Sequence, residues 1–172
     1  MTSQLLFALL TAAVVAERLA ELVVANRHTR WARARGGVEH GHGHYPVMVT
    51  IHTGLLVGML AEVHLAHRPF LPALGWTALA LAAAAQALRW WCVAALGPRW
   101  TTRVIVVPAL PLVARGPYRW LRHPNYLAVI VEGATLPLVH TAWTTALAFT
   151  AANAAVLTVR VRVENAALGL AS

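Results

Sequence analysis

Long apolar runs separated by short, arginine-rich polar segments set the layout of this chain. The first apolar run, Ser3 to Ala25, is long enough at ~1.5 Å per residue to cross a ~30 Å hydrocarbon core with some tilt. A second runs from Pro46 to Ala66. A third starts at Pro72 or Ala73 and ends near Leu96, where Gly97-Pro98 breaks the helix. Asn125 to about Val139 is shorter, roughly 22 Å at helical rise, and Pro137 interrupts its end. His140-Thr141 then turns tightly into Ala142 to Val159, so the last two runs predict a short antiparallel helical hairpin. Between the third and fourth runs, prolines and arginines recur too often for another span. There, Trp100 to Val107 is rich in β-branched residues. With Leu112-Val113 it predicts a small interfacial β-hairpin around Pro108 and Pro111. The expected fold is an all-α integral-membrane protein of about five transmembrane helices, one domain over residues 1–172.

Composition narrows the class. The chain is 59% hydrophobic and 12% charged, with a mean hydropathy of +0.61, which is wrong for an ordinary soluble domain. Its net charge of +8 comes from 14 arginines against six glutamates, with no lysine and no aspartate. Arg27, Arg30, Arg33, Arg35, Arg99, Arg103, Arg115, Arg119, Arg122, Arg160 and Arg162 all fall at one end of the predicted bundle. The positive-inside rule places that end in the cytosol and the N-terminus outside, in the cytoplasmic membrane. A nucleic-acid face is a poor explanation, because the arginines follow the span boundaries instead of one stripe. Residues 1–25 lack a basic stretch before their apolar core and read as a retained first helix. The single cysteine, Cys92, permits no internal disulfide and reads as a packing residue.

Several polar groups lie within or beside the spans. Glu17, Arg18 and Glu21 share one region of the first helix, Arg89 lies two turns from the end of the third, and Glu132 sits in the fourth. Such groups either form internal ion pairs or serve a ligand. Glu132 carries both readings: a face of the acceptor tunnel, or a buried partner for Arg89. His52 and Glu62 are about 15 Å apart along one helix and cannot touch. His40, His42 and His44 alternate with glycines, but no cysteine or carboxylate pair completes a zinc spacing, so no metal is expected. Together with Glu39, they suggest a loop that closes over a site.

The densest polar stretch is Gly116-Pro117-Tyr118-Arg119-Trp120-Leu121-Arg122-His123-Pro124-Asn125-Tyr126. Pro124 suits a helix start, because proline lacks the amide hydrogen that the first turn leaves unpaired. Arg122 and His123 then sit beside free backbone N–H groups that favour anionic ligands. The hairpin returns Arg160 and Glu164 to the same membrane face. These residues define a ligand site for an anionic or mixed-charge molecule at the cytosolic interface.

The runs Gly116-Pro117-Tyr118-Arg119 and Arg122-His123-Pro124-Asn125-Tyr126, with Arg160-x-x-x-Glu164, resemble the isoprenylcysteine carboxyl methyltransferase family. Upstream, Glu17-Arg18-x-x-Glu21-Leu22, Gly36-Gly37-Val38-Glu39, His44-Tyr45-Pro46 and His52 look like a bacterial branch associated with type III polyketide synthases. The resemblance implies a membrane enzyme using S-adenosyl-L-methionine, with its catalytic part at about 97–172. It implies that Gly116, Pro117, Tyr118, Arg122, His123, Pro124, Asn125 and Tyr126 bind the cofactor, and that Arg160, Glu164 and Glu132 serve catalysis. The implied acceptor is a lipophilic small molecule, such as an alkylpyrone or isoprenoid, methylated at an oxygen and drawn from among the membrane lipids. Where the family often has paired glutamates, this chain has Glu164-Asn165, and it lacks a long aromatic tail, which weakens the case for a prenylated-protein acceptor. No dinucleotide glycine fingerprint is present. Two other readings are an NADPH-dependent membrane reductase of sterol-reductase-like architecture and a non-enzymatic membrane subunit or carrier.

Overall fold

The computed structural model describes residues 2–108 and 110–170. Five helices carry the chain: α1 (Thr2–Arg33), α2 (His44–Leu65), α3 (Pro72–Leu96), α4 (Pro124–Thr135) and α5 (Trp143–Ala167). Two three-residue strands, β1 (Val38–His40) and β2 (Val104–Val106), form the one small sheet among the described residues. Helices α2, α3 and α5 are each long and apolar enough to cross a membrane. The protein is thus an all-α membrane protein, as its apolar pattern predicts.

Helix boundaries follow local chemistry. Pro72 and Pro124 open α3 and α4 from the first turn, where a missing N–H costs nothing. Gly97 closes α3 with a positive φ of 56°. Helix α4 has only 12 residues, about 18 Å at helical rise. Pro137 then opens a 3-10 turn, Pro137–His140, in place of the predicted continuation to Val139. Thr141 takes a left-handed conformation at its end, and its hydroxyl donates to Pro69 O at 2.6 Å.

Helix α3 packs on α4, α2 packs on α5, and α4 and α5 pack on each other. Ala78, Ala82 and Ala85 put small side chains on one buried face of α3, which lets helices approach closely. At Gly133 an added Cβ would lie 1.9 Å from a ring carbon of Phe149, so α4 meets α5 through that glycine. Phe7, Met59, Val63, Ala78, Leu136, Val139 and Ala142 form the core at the end where α4 turns into α5. Glu62 secures that end as well. It accepts from Thr144 N (3.1 Å), Thr145 N (2.8 Å) and the Thr145 hydroxyl (2.8 Å), and Arg68 Nε donates to it at 3.0 Å. A carboxylate from α2 therefore satisfies the free amides at the start of α5. As expected, Glu62 and His52 have separate partners.

Three further features differ from the sequence reading: α1 runs on through the basic segment to Arg33, about two turns beyond the predicted Ala25, and the other two concern the sheet and α5. Strand β2 pairs antiparallel with β1, Val38 opposite Val106 and His40 opposite Val104, and not with Leu112-Val113. Pro108 and Pro111 cannot donate to a ladder, whereas Val38–His40 offers free backbone beside β2. The sheet thus ties the loop after α1 to the connector before α4. Helix α5 also continues to Ala167, two turns beyond the predicted end, so Arg160 and Glu164 lie on a regular helix.

Candidate functional site

A cavity of about 100 Å³ opens at the end of the bundle that carries the connector. Its floor is the start of α4, with His123, Asn125 and Tyr126, and one wall is α5, with Arg160 and Glu164. Its roof is the connector from Trp100 to Val106. The predicted meeting of the polar island with Arg160 and Glu164 is therefore present in the fold.

Arg160 is 4% exposed. Its Nη2 donates to Thr102 O at 3.0 Å, and its guanidinium carbon lies 5.8 Å from the Tyr126 ring centre. Its Nε and Nη1 have no partner among the described residues. Among the described residues, Trp100, 3% exposed, leaves its indole N–H unpartnered, and Asn125 Oδ1 is also unpartnered. Buried polar atoms normally find partners. Here, two guanidinium nitrogens, an indole N–H and an amide oxygen without partners among the described residues belong to side chains that line one cavity.

The carboxylate side is equally organised. The Tyr126 hydroxyl donates a short hydrogen bond to Glu164 Oε2. His123 stacks on the Tyr126 ring, with centroids 5.4 Å apart. Its Nε2 lies 2.9 Å from Asn165 Oδ1 and its Nδ1 3.8 Å from Glu164 Oε1. Arg160 and Glu164, four apart on α5, do not pair with each other among the described residues; Glu164 accepts from the Tyr126 hydroxyl and the Arg160 guanidinium lies by its ring. Tyr118 lines the cavity next to the Cys92 thiol. Burial pushes its phenol well above the ordinary value, so it stays a hydroxyl donor.

The remaining predicted residues have supporting places. Gly116 opens a 3-10 turn, Gly116–Arg119, at φ 57°, and an added Cβ would lie 2.9 Å from Ala95 Cβ and 3.1 Å from Trp91 Nε1. Only glycine fits there, and the turn it permits aims Tyr118 inward. Pro117 and Pro124 are buried. Arg122 lies beside a second, more apolar groove of about 320 Å³ lined by Leu110, Leu112, Val113 and Leu168. Tyr118 and Glu164 border both spaces.

Glu132 lies elsewhere. It is 9% exposed, and its two oxygens accept from Arg18 Nη2 at 2.7 Å and Arg89 Nη2 at 2.6 Å. Arg18 also bonds Glu21 and Gln86, and Gln86 Nε2 donates to Glu17 Oε1 at 2.6 Å. Of the two sequence readings, the Arg89 pairing is thus present. A small cavity, with His52 on its wall, borders this network within the helices.

Sequence reasoning missed the roof. Glu39 accepts from Arg33 Nη2 at 2.7 Å and Arg103 Nη1 at 2.6 Å, and Arg103 lies over the Tyr45 ring at 4.2 Å. Burial opposes the Glu39 charge, but the two guanidiniums outweigh it and hold the carboxyl below its ordinary range. The sequence marked Trp100 and Arg103 only as part of an interfacial connector and Asn165 only as a departure from paired glutamates, none of them as a site residue. The signal for Trp100 was its place just past a helix-ending Gly-Pro.

Comparison with known proteins agrees with this geometry. The chain is 37% identical over 164 residues to the uncharacterized protein YpbQ of Bacillus subtilis (strain 168), covering 95% of this chain and 96% of that one. It is 25% identical over 158 residues to an uncharacterized protein of Haemophilus influenzae, covering 91% of each. Residues 78–170, which contain every residue around the cavity, match the model of the isoprenylcysteine carboxyl methyltransferase (ICMT) family. The chain belongs to that family, and it is a membrane methyltransferase.

Proposed function

We propose that this protein transfers a methyl group from S-adenosyl-L-methionine to an oxygen of a lipophilic small molecule. The observation that carries this reading is that Arg160 and Trp100, whose buried donors lack partners among the described residues, line the same cavity as the Glu164 carboxylate. A zwitterionic, sulfonium-bearing cofactor needs both signs of charge within a few ångströms. Arg160 and Trp100 suit its carboxylate, Glu164 suits its positive charge, and Asn125 Oδ1 can accept from its amine or adenine. When bound, the cofactor supplies an electrophilic methyl group. The residues of the chain orient it, exclude water under the Trp100–Val106 roof, and line up the acceptor oxygen, and such positioning can supply much of the acceleration.

The apolar groove beside Arg122 suits the acceptor. It shares Tyr118 and Glu164 with the polar cavity, so an acceptor tail lying in it brings its polar end to the cofactor. The arginine-rich end faces the cytosol and the acceptor enters laterally from the bilayer. Incubating the purified enzyme with methyl-labelled cofactor and host lipid extract tests the reading. A labelled, lipid-soluble product lost on substitution of Arg160 is the expected result. Absence of labelled lipid together with absence of cofactor binding would refute it.

A further inference from the structure

The chain has 14 arginines and six glutamates, with no aspartate, and each glutamate already has partners. Glu17, Glu21 and Glu132 serve Arg18 and Arg89, and Glu62 serves Arg68. Glu39 serves Arg33 and Arg103, and Glu164 serves Tyr126 and His123. Among the described residues, Arg99 and Arg115 pair with none of them. Both are nevertheless anchored. Arg115 Nε donates to Ala95 O at 2.8 Å, one of the carbonyls that the last turn of α3 leaves over. Arg99 lies in the 3-10 turn just past α3 and donates through Nη1 to Pro111 O of the connector. A guanidinium carries five N–H donors. One hydrogen bond to a carbonyl therefore orients each arginine and leaves four donors over.

These two arginines line one groove of about 420 Å³, with Leu96, Leu112 and Val113 as its apolar walls. The groove lies at a membrane boundary. The third apolar helix is long and apolar enough to span as far as Arg99. Trp90, Trp91 and Trp120 are exposed beside it, and the Trp91 and Trp120 rings meet at 5.9 Å. Exposed tryptophans mark the level of the lipid headgroups. A cationic, donor-rich end joined to an apolar wall at that level matches one class of molecule. The phosphate of an anionic phospholipid suits the two guanidiniums, and its acyl chain suits Leu96, Leu112 and Val113. A soluble anion leaves the apolar wall uncovered. A zwitterionic lipid brings a third cation to a site that already holds two.

We propose that an anionic phospholipid binds in this groove, with its phosphate on Arg99 and Arg115, and joins the end of α3 to the connector. The inference is independent of the methyl-transfer reading. The groove shares Leu96, Arg99, Leu112 and Val113 with the apolar groove beside Arg122, so the bound lipid steadies a wall common to both.

The test uses the full-length protein in an uncharged detergent. It is offered phosphatidylglycerol, phosphatidylcholine with the same acyl chains, or inorganic phosphate. Lipid retention is read by native mass spectrometry, and Tm is measured on the same samples. Wild type is expected to keep a single phosphatidylglycerol in preference to phosphatidylcholine, and to melt higher with it. R99Q and R115Q are expected to weaken retention about 10- to 100-fold, the usual worth of a charged hydrogen bond. R35Q removes an exposed arginine outside the groove and leaves retention unchanged. L112E covers the case in which an arginine variant fails to fold. Leu112 is 56% exposed, so a carboxylate there reverses the sign of the wall without touching either carbonyl bond, and retention is lost. Equal retention of the two phospholipids overturns the proposal. So does a loss in R35Q equal to that in R99Q, or full retention in L112E. Displacement of phosphatidylglycerol by an equal concentration of inorganic phosphate also overturns it, because the arginines then serve a soluble anion.

Discussion

The network between α1, α3 and α4 makes a sharp prediction about Arg89. Its formal charges are three carboxylates, Glu17, Glu21 and Glu132, against two guanidiniums, Arg18 and Arg89. Arg89 is 8% exposed, with Nη2 2.6 Å from Glu132 Oε2 and Nε 3.6 Å from Glu21 Oε1. R89M removes one guanidinium and takes the buried sum from −1 to −2. Charge centres about 4 Å apart interact by about 4 kcal/mol at an effective dielectric of 20. Breaking a buried pair by removing one partner costs about 3–5 kcal/mol. By the usual scaling for chains of this size, that lowers Tm by about 6–20 °C. E132Q moves the sum the other way, from −1 to 0, and loses less; the R89M/E132Q double variant returns to −1 and recovers part of the loss. Cys92, the sole cysteine and fully buried, gives the assay. A thiol-reactive fluorophore in detergent lights up only when α3 comes apart. A shift under about 2 °C for R89M, or a larger loss for E132Q than for R89M, would refute the charge reasoning.

Three further predictions concern the site. R160Q deletes the guanidinium whose Nε and Nη1 lack partners among the described residues. By the usual worth of a charged hydrogen bond, S-adenosylhomocysteine binding measured by calorimetry falls about 10- to 100-fold. G116A forces a side chain onto a φ of 57° against Ala95 and Trp91, costing about 1–2 kcal/mol from the backbone alone. It should lower both Tm and ligand affinity. The Glu39 carboxyl is held below its ordinary range, so its clamp on Arg103 stabilises the roof above the unfolded-state value and is lost as pH falls through the folded one. Protection of the Val104–Val106 amides from hydrogen exchange, relative to the intrinsic rate at each pH, should fall on acidification in wild type, and E39Q should show low protection at neutral pH with no further acid-dependent fall.

Much of this fold was legible because proline, glycine and arginine mark it directly. Pro72 and Pro124 open helices where the first-turn rule puts them, and Gly97 closes one. The tight turn at His140-Thr141 brought Arg160 and Glu164 back to the polar island, as their contacts with Tyr126 show. The sheet was not legible. Its strands have three residues each and lie more than sixty positions apart, and no turn chemistry links them. The partners of Glu132 were legible in kind, since a buried carboxylate needs a cation, but sequence spacing cannot show that Arg18 joins Arg89 there. Asn165 stood out only as a departure from paired glutamates; its contact with His123 spans 42 positions.

The cofactor is the centre of the functional reading, and calorimetry on the purified protein tests it most directly. S-adenosylhomocysteine and NADPH are titrated separately into wild type and R160Q. Saturable binding of S-adenosylhomocysteine by wild type, weakened in R160Q, with no heat from NADPH, is the predicted result. Binding of NADPH in its place, or of neither, would contradict it.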